Sequence, residues 1–350
     1  MDEISLWERF QMSDGKKVFA GLDIGGTTTK CILVDDKGEE VGDLVEVRSN
    51  VKDGFEATFG QLELALDQLV EGPGLSRSSI QGIGLDVPAP CSDGVIWGQA
   101  NLAKDWVGSN IRDQFSKRVD VPVTMTNDCN AAALGEYAIR KKHLGALLYV
   151  APGTGLGGGM VLPGGKAYEG QHGLALEVGH TSVPFLEEDG TLPPCSCGLV
   201  GCAEAWVSLM ALRRRLVFEL AKERWADHPL AVDKAPIEEK AFRLRDLASE
   251  GDALANQMFE QQGNILGHMI ADMVRVFDPG LVVIGGGLAE ADFRDKYLDW
   301  VKDGFNKRAW PMYQQSPVDP DVETTRFEWA SGGDAVAAMG MAYTAREMFR

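Results

Sequence analysis

The sequence lacks the features that mark membrane, secreted and nucleic-acid-binding proteins. It has no uninterrupted apolar run long enough to cross a bilayer, so we expect no membrane association. Residues Met1 to Lys17 carry mixed charge and no signal-peptide core, which favours a cytoplasmic protein. Basic residues are few, since 34 Lys and Arg stand against 52 Asp and Glu, a net charge of −18. The negative electrostatic field of such a chain repels the phosphate backbone of nucleic acids, so we expect no nucleic acid partner.

Cysteine and histidine are also scarce, with six and five residues respectively, and their positions are therefore informative. Cys195, Cys197 and Cys202 fall within eight residues, and His180 lies shortly upstream. Three thiolates and one imidazole make a closed tetrahedral shell of the kind that structural zinc prefers. A disulfide would leave one of the three cysteines unpaired and would need an oxidising compartment. The sequence therefore predicts a structural Zn²⁺ site with these four ligands.

Two carboxylates flank the predicted zinc ligands without being needed by the metal. Glu177 lies three residues before His180, and Glu204 lies two residues after Cys202. Because four protein ligands already close a structural zinc site, we expect this segment to orient the two carboxylates toward something else.

The length and the order of the elements predict a two-domain α/β protein. A chain of 350 residues is long for a single core. Val18 to Asp23 and Lys30 to Asp35 predict one strand hairpin, and Ala146 to Ala151 with Leu156 to Val161 predict a second. The repeated hairpin indicates a duplicated architecture.

Apolar spacing predicts helices in several places, and one polar, proline-bearing segment is predicted to be a connection. A third strand is predicted over 40–48. The predicted helices are 54–70, 111–118, 128–139, 252–277 and 333–348, together with a long helix that begins with 201–216 and is strongly helical over 208–223. The predicted connection is 224–240.

Glycine is abundant, with 41 residues concentrated in a few loops. Two of these loops are glycine-threonine turns, whose backbone N–H groups and hydroxyls suit an anion. Asp23 ends the strand before the first turn and is placed to hold Mg²⁺, directly or through water. Neither turn is a P-loop, because no Gly-Lys-Ser/Thr opens a helix. The candidate phosphate-binding residues are Gly25, Gly26, Thr27 and Thr28 in the first turn and Gly153, Thr154 and Gly155 in the second.

Three further candidates each have a structural alternative. The glycines at 285–287 would let an adenosine group approach bare backbone, or they simply form a strand-to-helix turn. Asp128 follows a strand and opens a helix, so it is either an N-cap or a base for a substrate hydroxyl. Asn101 is a loop amide that reads a hydroxyl or serves turn chemistry.

Five segments together resemble the ROK family of sugar kinases and sugar-responsive repressors, and within it the bacterial glucokinases. The resemblance runs from about residue 18 to the C-terminus in the family's motif order. It implies an actin-like, ribonuclease H-like sugar kinase fold of two α/β domains with a ligand cleft. The segments are Asp-Ile-Gly-Gly-Thr-Thr-Thr-Lys at 23–30, Asn-Asp at 127–128, Gly-Thr-Gly-Leu-Gly-Gly-Gly at 153–159, Glu-Val-Gly-His at 177–180 and Cys-Ser-Cys-Gly-Leu-Val-Gly-Cys-Ala-Glu at 195–204.

The resemblance also implies domain limits and an assembly. We expect a smaller domain over 1–125, joined by the C-terminal helix 334–350, and a larger domain with the zinc site over 126–333. We also expect a homodimer.

The activity that the resemblance implies is ATP- and Mg²⁺-dependent phosphorylation of a hexose at its 6-hydroxyl, glucose first among them. Asp128 would be the catalytic base, and His180 would be both a zinc ligand and a neighbour of the sugar. The residues implied around the sugar are Asn101, Asn127, Asp128, Glu177, His180 and Glu204. The residues implied around the nucleotide are Asp23, Gly25, Gly26, Thr27, Thr28, Lys30, Gly153, Thr154, Gly155, Gly285, Gly286 and Gly287.

Departures from the family pattern leave the identity of the sugar open. The loop 86–90 reads Asp-Val-Pro-Ala-Pro where the family usually has Gly-x-Pro-Gly-Pro, so Ala89 replaces a glycine. Kinases for N-acetylmannosamine, N-acetylglucosamine or another hexose are alternatives, as is a non-catalytic sugar binder. A sugar-responsive repressor is disfavoured, because only seventeen residues precede Val18 and a DNA-binding module of three helices needs more.

Overall fold

The structure is a computed structural model that describes residues 16–98, 102–140 and 145–350. The chain divides into two compact units. Unit 1 comprises Met1–His143, Gly159–Ala175 and Ser331–Arg350, and unit 2 comprises Leu144–Gly158 and Leu176–Ala330, each as far as the described residues extend.

Strands and helices alternate through both units, as the sequence predicts for an α/β protein. The strands are β1 Val18–Ile24, β2 Thr28–Asp35, β3 Val45–Arg48, β4 Ile80–Val87, β5 Cys91–Ser92, β6 Val95–Ile96, β7 Val123–Asn127, β8 Leu147–Pro152, β9 Leu156–Leu162, β10 Lys166–Ala167, β11 Leu281–Ile284 and β12 Arg326–Trp329. The α-helices are α1 Phe55–Glu71, α2 Ile111–Val119, α3 Asp128–Ile139, α4 Glu204–Val207, α5 Leu209–Leu220, α6 Pro229–Val232, α7 Ile237–Ser249, α8 Ala253–Phe277, α9 Arg294–Arg308, α10 Pro311–Gln314 and α11 Val336–Phe349.

Unit 1 is built on a five-stranded sheet in the order β3-β2-β1-β4-β7. The first three strands are antiparallel, which confirms the predicted hairpin, while β1, β4 and β7 run parallel. Helix α11 packs so closely on this sheet that a Cβ at Gly84 would lie 2.1 Å from the carbonyl oxygen of Met341. The glycine therefore lets the helix backbone approach the strand. The parallel strands end at one edge of the sheet, where site residues follow.

Unit 2 contains the parallel strands β8, β11 and β12, of which β11 is buried along its whole length. Helix α8 runs for 25 residues and carries a continuous buried face. Its N-cap is Asp252, whose carboxylate accepts a hydrogen bond from Ala255 N–H at 2.8 Å. Strand β9 begins in unit 2 and ends in unit 1, where it pairs with β10.

Three predicted elements are wrong in extent. The long helix expected from residue 201 is two helices, α4 and α5, because Ser208 interrupts them and caps α5 through a bond from Ala211 N–H at 3.1 Å. The expected connection 224–240 contains α6 and the start of α7. The third strand covers only Val45–Arg48, because the chain before it forms a turn and an isolated bridge at Glu40.

The division into units differs from the limits expected from the sequence. Residues 126–140 and 159–175 belong to unit 1, whereas the expected boundary stood at 125/126. The compact units are a division by contacts, and the domain limits expected from the sequence stay a prediction. Among the described residues no helix combines the length and apolar character that a membrane span requires.

Candidate active site and metal centre

Three aspartates lie at the carboxyl ends of neighbouring parallel strands in unit 1. Asp23 on β1 is the register partner of Asp86 on β4, and Asp128 directly follows β7. Two of them, Asp23 and Asp128, are site residues that the sequence predicts. Asp86 is not, although a carboxylate near the end of a buried strand was a signal that could have identified it.

Asp86 is fully buried, and neither of its carboxyl oxygens accepts a hydrogen bond from a described N–H or O–H group. Burial raises the pKa of Asp86 well above its ordinary value, and the charges of Asp23 and Asp128 raise it further. Burial also raises the pKa of Asp23 to about 6, although a hydrogen bond from Asp86 opposes that rise. The raised pKa of Asp86 favours its protonated form, in which it can donate a hydrogen bond to Asp23 and leave the pair with one negative charge.

Asp128 is the first residue of α3, and the structure excludes the alternative that it is the N-cap. The cap is Asn127, whose side-chain oxygen accepts a hydrogen bond from Asn130 N–H at 2.8 Å. The carboxylate of Asp128 accepts a bond from Cys129 N–H at 2.8 Å and remains accessible to solvent. Desolvation by the surrounding protein raises the pKa of Asp128 despite that bond. A solvent-accessible carboxylate with a raised pKa is suited to accept a proton.

The first glycine-threonine turn joins β1 to β2 beside Asp23. Gly25 N–H donates to Thr28 O at 3.0 Å and closes the turn. Within the described residues the N–H groups of Gly26 and Thr27 have no protein acceptor, and a Cβ at Gly26 would meet no atom within 4 Å. The turn therefore presents free donors to open space, which fits an anion.

Lys30 lies opposite Asp23 in the hairpin. Its ammonium group forms an ion pair with Asp334 at 2.9 Å, and Asp334 belongs to the turn before α11. If Lys30 contacts the nucleotide, as the sequence predicts, Asp334 competes for the same ammonium group. The contact with the nucleotide stays a prediction.

The second glycine-threonine turn joins β8 to β9 and lies against Glu204. Leu156 N–H donates to one carboxylate oxygen of Glu204 at 3.0 Å, and Ser196 Oγ donates to the other at 2.7 Å. A Cβ at Gly155 would lie 2.6 Å from the same carboxylate, so this position has no room for a side chain. Glu204 thus ties the turn to the cysteine segment.

The glycines at 285–287 follow β11 and are tightly packed. A Cβ at Gly285 would lie 2.0 Å from the hydroxyl of Tyr149, and one at Gly286 would lie 2.4 Å from Pro152 O. Close packing and the positive φ of 73° at Gly286 account for these glycines without a ligand. The adenosine contact remains a prediction.

The predicted zinc ligands come together in unit 2. One donor atom from each of His180, Cys195, Cys197 and Cys202 lies within 4.8 Å of the others. The sulfurs of Cys197 and Cys202 are 3.8 Å apart, and Cys195 Sγ is 3.6 Å from His180 Nδ1. A tetrahedron with the usual zinc bond lengths has S–S edges of about 3.8 Å and S–N edges of about 3.6 Å. The donor set and its spacing therefore fit Zn²⁺.

Backbone hydrogen bonds hold the cysteine segment in this shape. Gly198 N–H donates to Cys195 O at 3.1 Å, and Cys195 N–H donates to Leu199 O at 2.9 Å. A hydrogen bond from the backbone of Leu199 lowers the pKa of the Cys197 thiol, which favours the thiolate that a metal requires. Gly198 adopts a φ of 88°, which explains the glycine there.

Glu177 precedes the short 3-10 turn that ends at His180, and its carbonyl accepts a bond from His180 N–H at 3.1 Å. The residue before it, Leu176, has a φ of 65°, which is rare for a leucine and marks local backbone strain. The chain thus places Glu177 and His180 through a strained, fixed turn. Asn101, also predicted to contact the sugar, lies outside the described residues.

Known proteins resemble this chain in sequence and in fold. The ROK family model matches residues 19–348. A glucokinase of Halalkalibacterium halodurans is 32% identical over 304 residues, which cover 86% of this chain and 88% of that protein.

Two solved structures resemble this one in sequence as well as in shape. The ROK hexokinase from Thermus thermophilus has a TM-score of 0.74 and 28% identity, with coverage of 95% of this chain and 100% of that one. A ROK family glucokinase from Streptomyces griseus in complex with glucose and AMPPNP has a TM-score of 0.71 and 26% identity, with coverage of 94% and 99%. These likenesses confirm the predicted actin-like sugar kinase fold. On the match of its sequence from residue 19 to residue 348, the chain belongs to the ROK family.

Proposed function

We propose that the protein transfers the γ-phosphoryl group of ATP to the 6-hydroxyl of a hexose, and that glucose is its substrate. The names of its relatives support this reaction class, since a glucokinase is 32% identical and a related glucokinase structure holds glucose and AMPPNP. The observation that carries the proposal is the carboxylate of Asp128, solvent-accessible at the start of α3 and oriented by Cys129 N–H.

Asp128 would act as the general base. It accepts the proton of the sugar hydroxyl as that oxygen attacks, which orients the nucleophile more than it activates it. The raised pKa of its carboxyl brings its basicity closer to neutral pH. The bond from Cys129 N–H fixes one oxygen and leaves the other for the substrate.

The nucleotide would be held by backbone donors. The free N–H groups of Gly26 and Thr27 in unit 1 suit phosphate oxygens. Asp23, only partly buried and at the same turn, suits Mg²⁺ through water, because that ion takes few carboxylates. When bound, MgATP supplies the phosphoryl group and the charge that stabilises its transfer. Thr154 and Gly155 in unit 2 are proposed as further phosphate contacts.

Zinc would serve structure and sugar orientation. With His180 Nδ1 facing Cys195, the Nε2 atom remains for a sugar hydroxyl. Glu204 already accepts bonds from Leu156 N–H and Ser196, so we propose that it orders the second turn and also reads a hydroxyl. Glu177, Asn127 and Asn101 are proposed as the other sugar contacts. We also propose that the protein is cytoplasmic and that it is a homodimer. Light scattering after gel filtration measures the molar mass and tests the dimer.

A coupled ADP-release assay tests the function. The zinc-loaded protein is given ATP and Mg²⁺ with glucose, mannose, N-acetylglucosamine or N-acetylmannosamine in turn. We expect the highest kcat/KM with glucose. A higher value with an N-acetylhexosamine would overturn the choice of substrate, and the absence of turnover with every sugar would overturn the kinase assignment.

A further inference from the structure

A cavity of about 790 Å³ opens in unit 2 and takes in none of the residues assigned above to sugar, nucleotide or zinc. It is bounded by the segment 186–194, by Trp206 of α4, by α5 and by one face of α8. Its volume lies in the range of small-molecule pockets, about 300–1,000 Å³. The segment 186–194 is the acidic spacer between His180 and Cys195, for which the proposed reaction has no use.

Arg215 lines this cavity and is buried, with 5% of its surface exposed. Its guanidinium donates to Trp206 O at 3.3 Å and to the side-chain oxygen of Gln261, and it lies 5.7 Å from the centre of the Trp206 ring. Both hydrogen-bond acceptors are neutral, and among the described residues no carboxylate forms an ion pair with Arg215. Burial lowers the pKa of Arg215 to about 10, although the charges of Glu187 and Glu219 oppose that fall from further away. A buried cation without a directly paired counter-ion is costly, and an anion beside it lowers that cost.

Trp206, which also lines the cavity, carries a second unsatisfied group. Its side chain is 1% exposed, and its indole N–H has no acceptor among the described residues. Buried indole N–H groups usually have a partner, so this one calls for an acceptor atom.

Two other cations that line the cavity, Arg214 and Lys222, form ion pairs with carboxylates of the segment 186–194. Arg214 forms an ion pair with Glu187, and Lys222 forms one with Glu188, which is 81% exposed. The pair of Glu188 is exposed on its acidic side, and such exposed pairs are weak. Arg214 and Glu187 are only 25% and 22% exposed, so their pair gives way only to an anion that also binds Arg215. Apolar surface stands beside them, since Phe218 of α5 is 60% exposed and Leu186 is 58% exposed.

We propose that this cavity is a binding site for a small organic anion with an apolar ring. The anionic group would meet Arg215 and Arg214, an acceptor atom would meet the Trp206 N–H, and the ring would cover Phe218. Glu187, in the segment that leads into Cys195, is the present partner of Arg214. An anion that binds Arg214 would therefore displace Glu187.

Isothermal titration calorimetry with 1-naphthyl phosphate tests the proposal on the zinc-loaded full chain. Glucose and a non-hydrolysable ATP analogue are present at saturation, so that the proposed substrate sites are filled. We expect binding of one equivalent. Inorganic phosphate and 1-naphthol should each bind at least about tenfold more weakly, because each lacks one half of the recognised chemistry.

Two variants and a control locate the binding. Trp206→Phe keeps the ring and loses the N–H, and Arg214→Gln removes a rim cation; each should weaken binding about tenfold. Arg294→Gln, an exposed residue of α9 that does not line the cavity, should leave the affinity unchanged. No binding of 1-naphthyl phosphate to the wild type, equal affinity for 1-naphthol, or wild-type affinity in both cavity variants would each overturn the proposal.

Discussion

The carboxylates of unit 1 and the metal ligands of unit 2 are two polar clusters built in opposite ways. Asp23, Asp86 and Asp128 come from strands far apart in sequence, and they meet only because β1, β4 and β7 run parallel in one sheet. The proposed zinc ligands come from 23 consecutive residues, 180–202, and are shaped by local turns. The first cluster carries like charges that must be protonated or neutralised, whereas the second gathers ligands that one cation satisfies. The first is therefore suited to proton transfer and the second to holding a shape.

The largest expected effect falls on the proposed base, Asp128. Asp128→Asn keeps the shape of the side chain but cannot accept the proton, so we expect kcat for glucose to fall by roughly 10²–10⁴ while KM changes little. Steady-state kinetics measure both.

The matched control is Asp113→Asn in α2, where the capping residue Asn110 accepts a bond from Asp113 N–H. Like Asp128, Asp113 is an exposed carboxylate in the first turn of an Asn-capped helix, and its variant should keep full turnover. Near-full turnover of Asp128→Asn would remove it as the base.

Loss of the metal should come next. Stripping zinc with a chelator frees the segment that carries His180 and Glu204, so the Kd for glucose should rise at least about tenfold. The Kd for the ATP analogue should rise less, because the donors of Gly26 and Thr27 in unit 1 are kept and only the second turn, which Glu204 orders, is loosened. Calorimetry measures both constants, and re-addition of Zn²⁺ is the control. An equal loss of both affinities would mean that the zinc only holds the fold together.

A smaller effect should separate two glycines of the second turn. Gly155→Ala places a methyl group 2.6 Å from Glu204 and must push that carboxylate away, so we expect kcat/KM to fall about tenfold. Gly153→Ala meets no atom within 4 Å and should cost little. If the two variants lose the same activity in the ADP-release assay, the contact with Glu204 is not what the turn requires.

The smallest effect concerns stability and its pH dependence. The folded-state pKa of Asp86 is raised, so the contribution of this group to stability is most favourable at low pH and falls as the pH rises above the ordinary aspartate range. An amide at this position does not ionise. The unfolding free energy of Asp86→Asn should therefore rise relative to that of the wild type between pH 4 and pH 8, by about 1–3 kcal/mol at pH 8. Thermal unfolding across this range measures the difference.

Asp67→Asn is the control of opposite sign. Its ion pair with Arg77 at 2.7 Å lowers the pKa of Asp67, so this variant should lose stability at neutral pH and match wild type as the pH falls through that lowered pKa. A pH-independent difference for Asp86→Asn would contradict the shared proton of Asp86 and Asp23.

The two clusters also differ in how far the sequence alone predicts them. The zinc ligands follow from spacing, because cysteines separated by two and five residues can meet through local turns. The hairpin of β1 and β2 follows from its glycine turn in the same way. Asp86 could not be found so easily, because its importance depends on which strands are neighbours in the sheet. The contact of Glu204 with Leu156 depends likewise on tertiary structure, 48 residues apart.

Helix boundaries show the same limit on a smaller scale. The apolar spacing of α1 and α8 predicts both helices to within a residue or two. The break at Ser208 escaped the pattern, because one capping hydroxyl ends a helix without changing its apolar period. Asn127 rather than Asp128 caps α3 for a related reason, since both residues are good caps and only the backbone angles decide between them.

The most direct test of the central claim is to identify the product. The zinc-loaded protein is incubated with ATP, Mg²⁺ and glucose, and the reaction is followed by ³¹P NMR together with the ADP released. The structure and the comparisons lead us to expect one equivalent of glucose 6-phosphate for each ADP. ADP formed without a sugar phosphate, or a phosphate at another hydroxyl, would contradict the assignment.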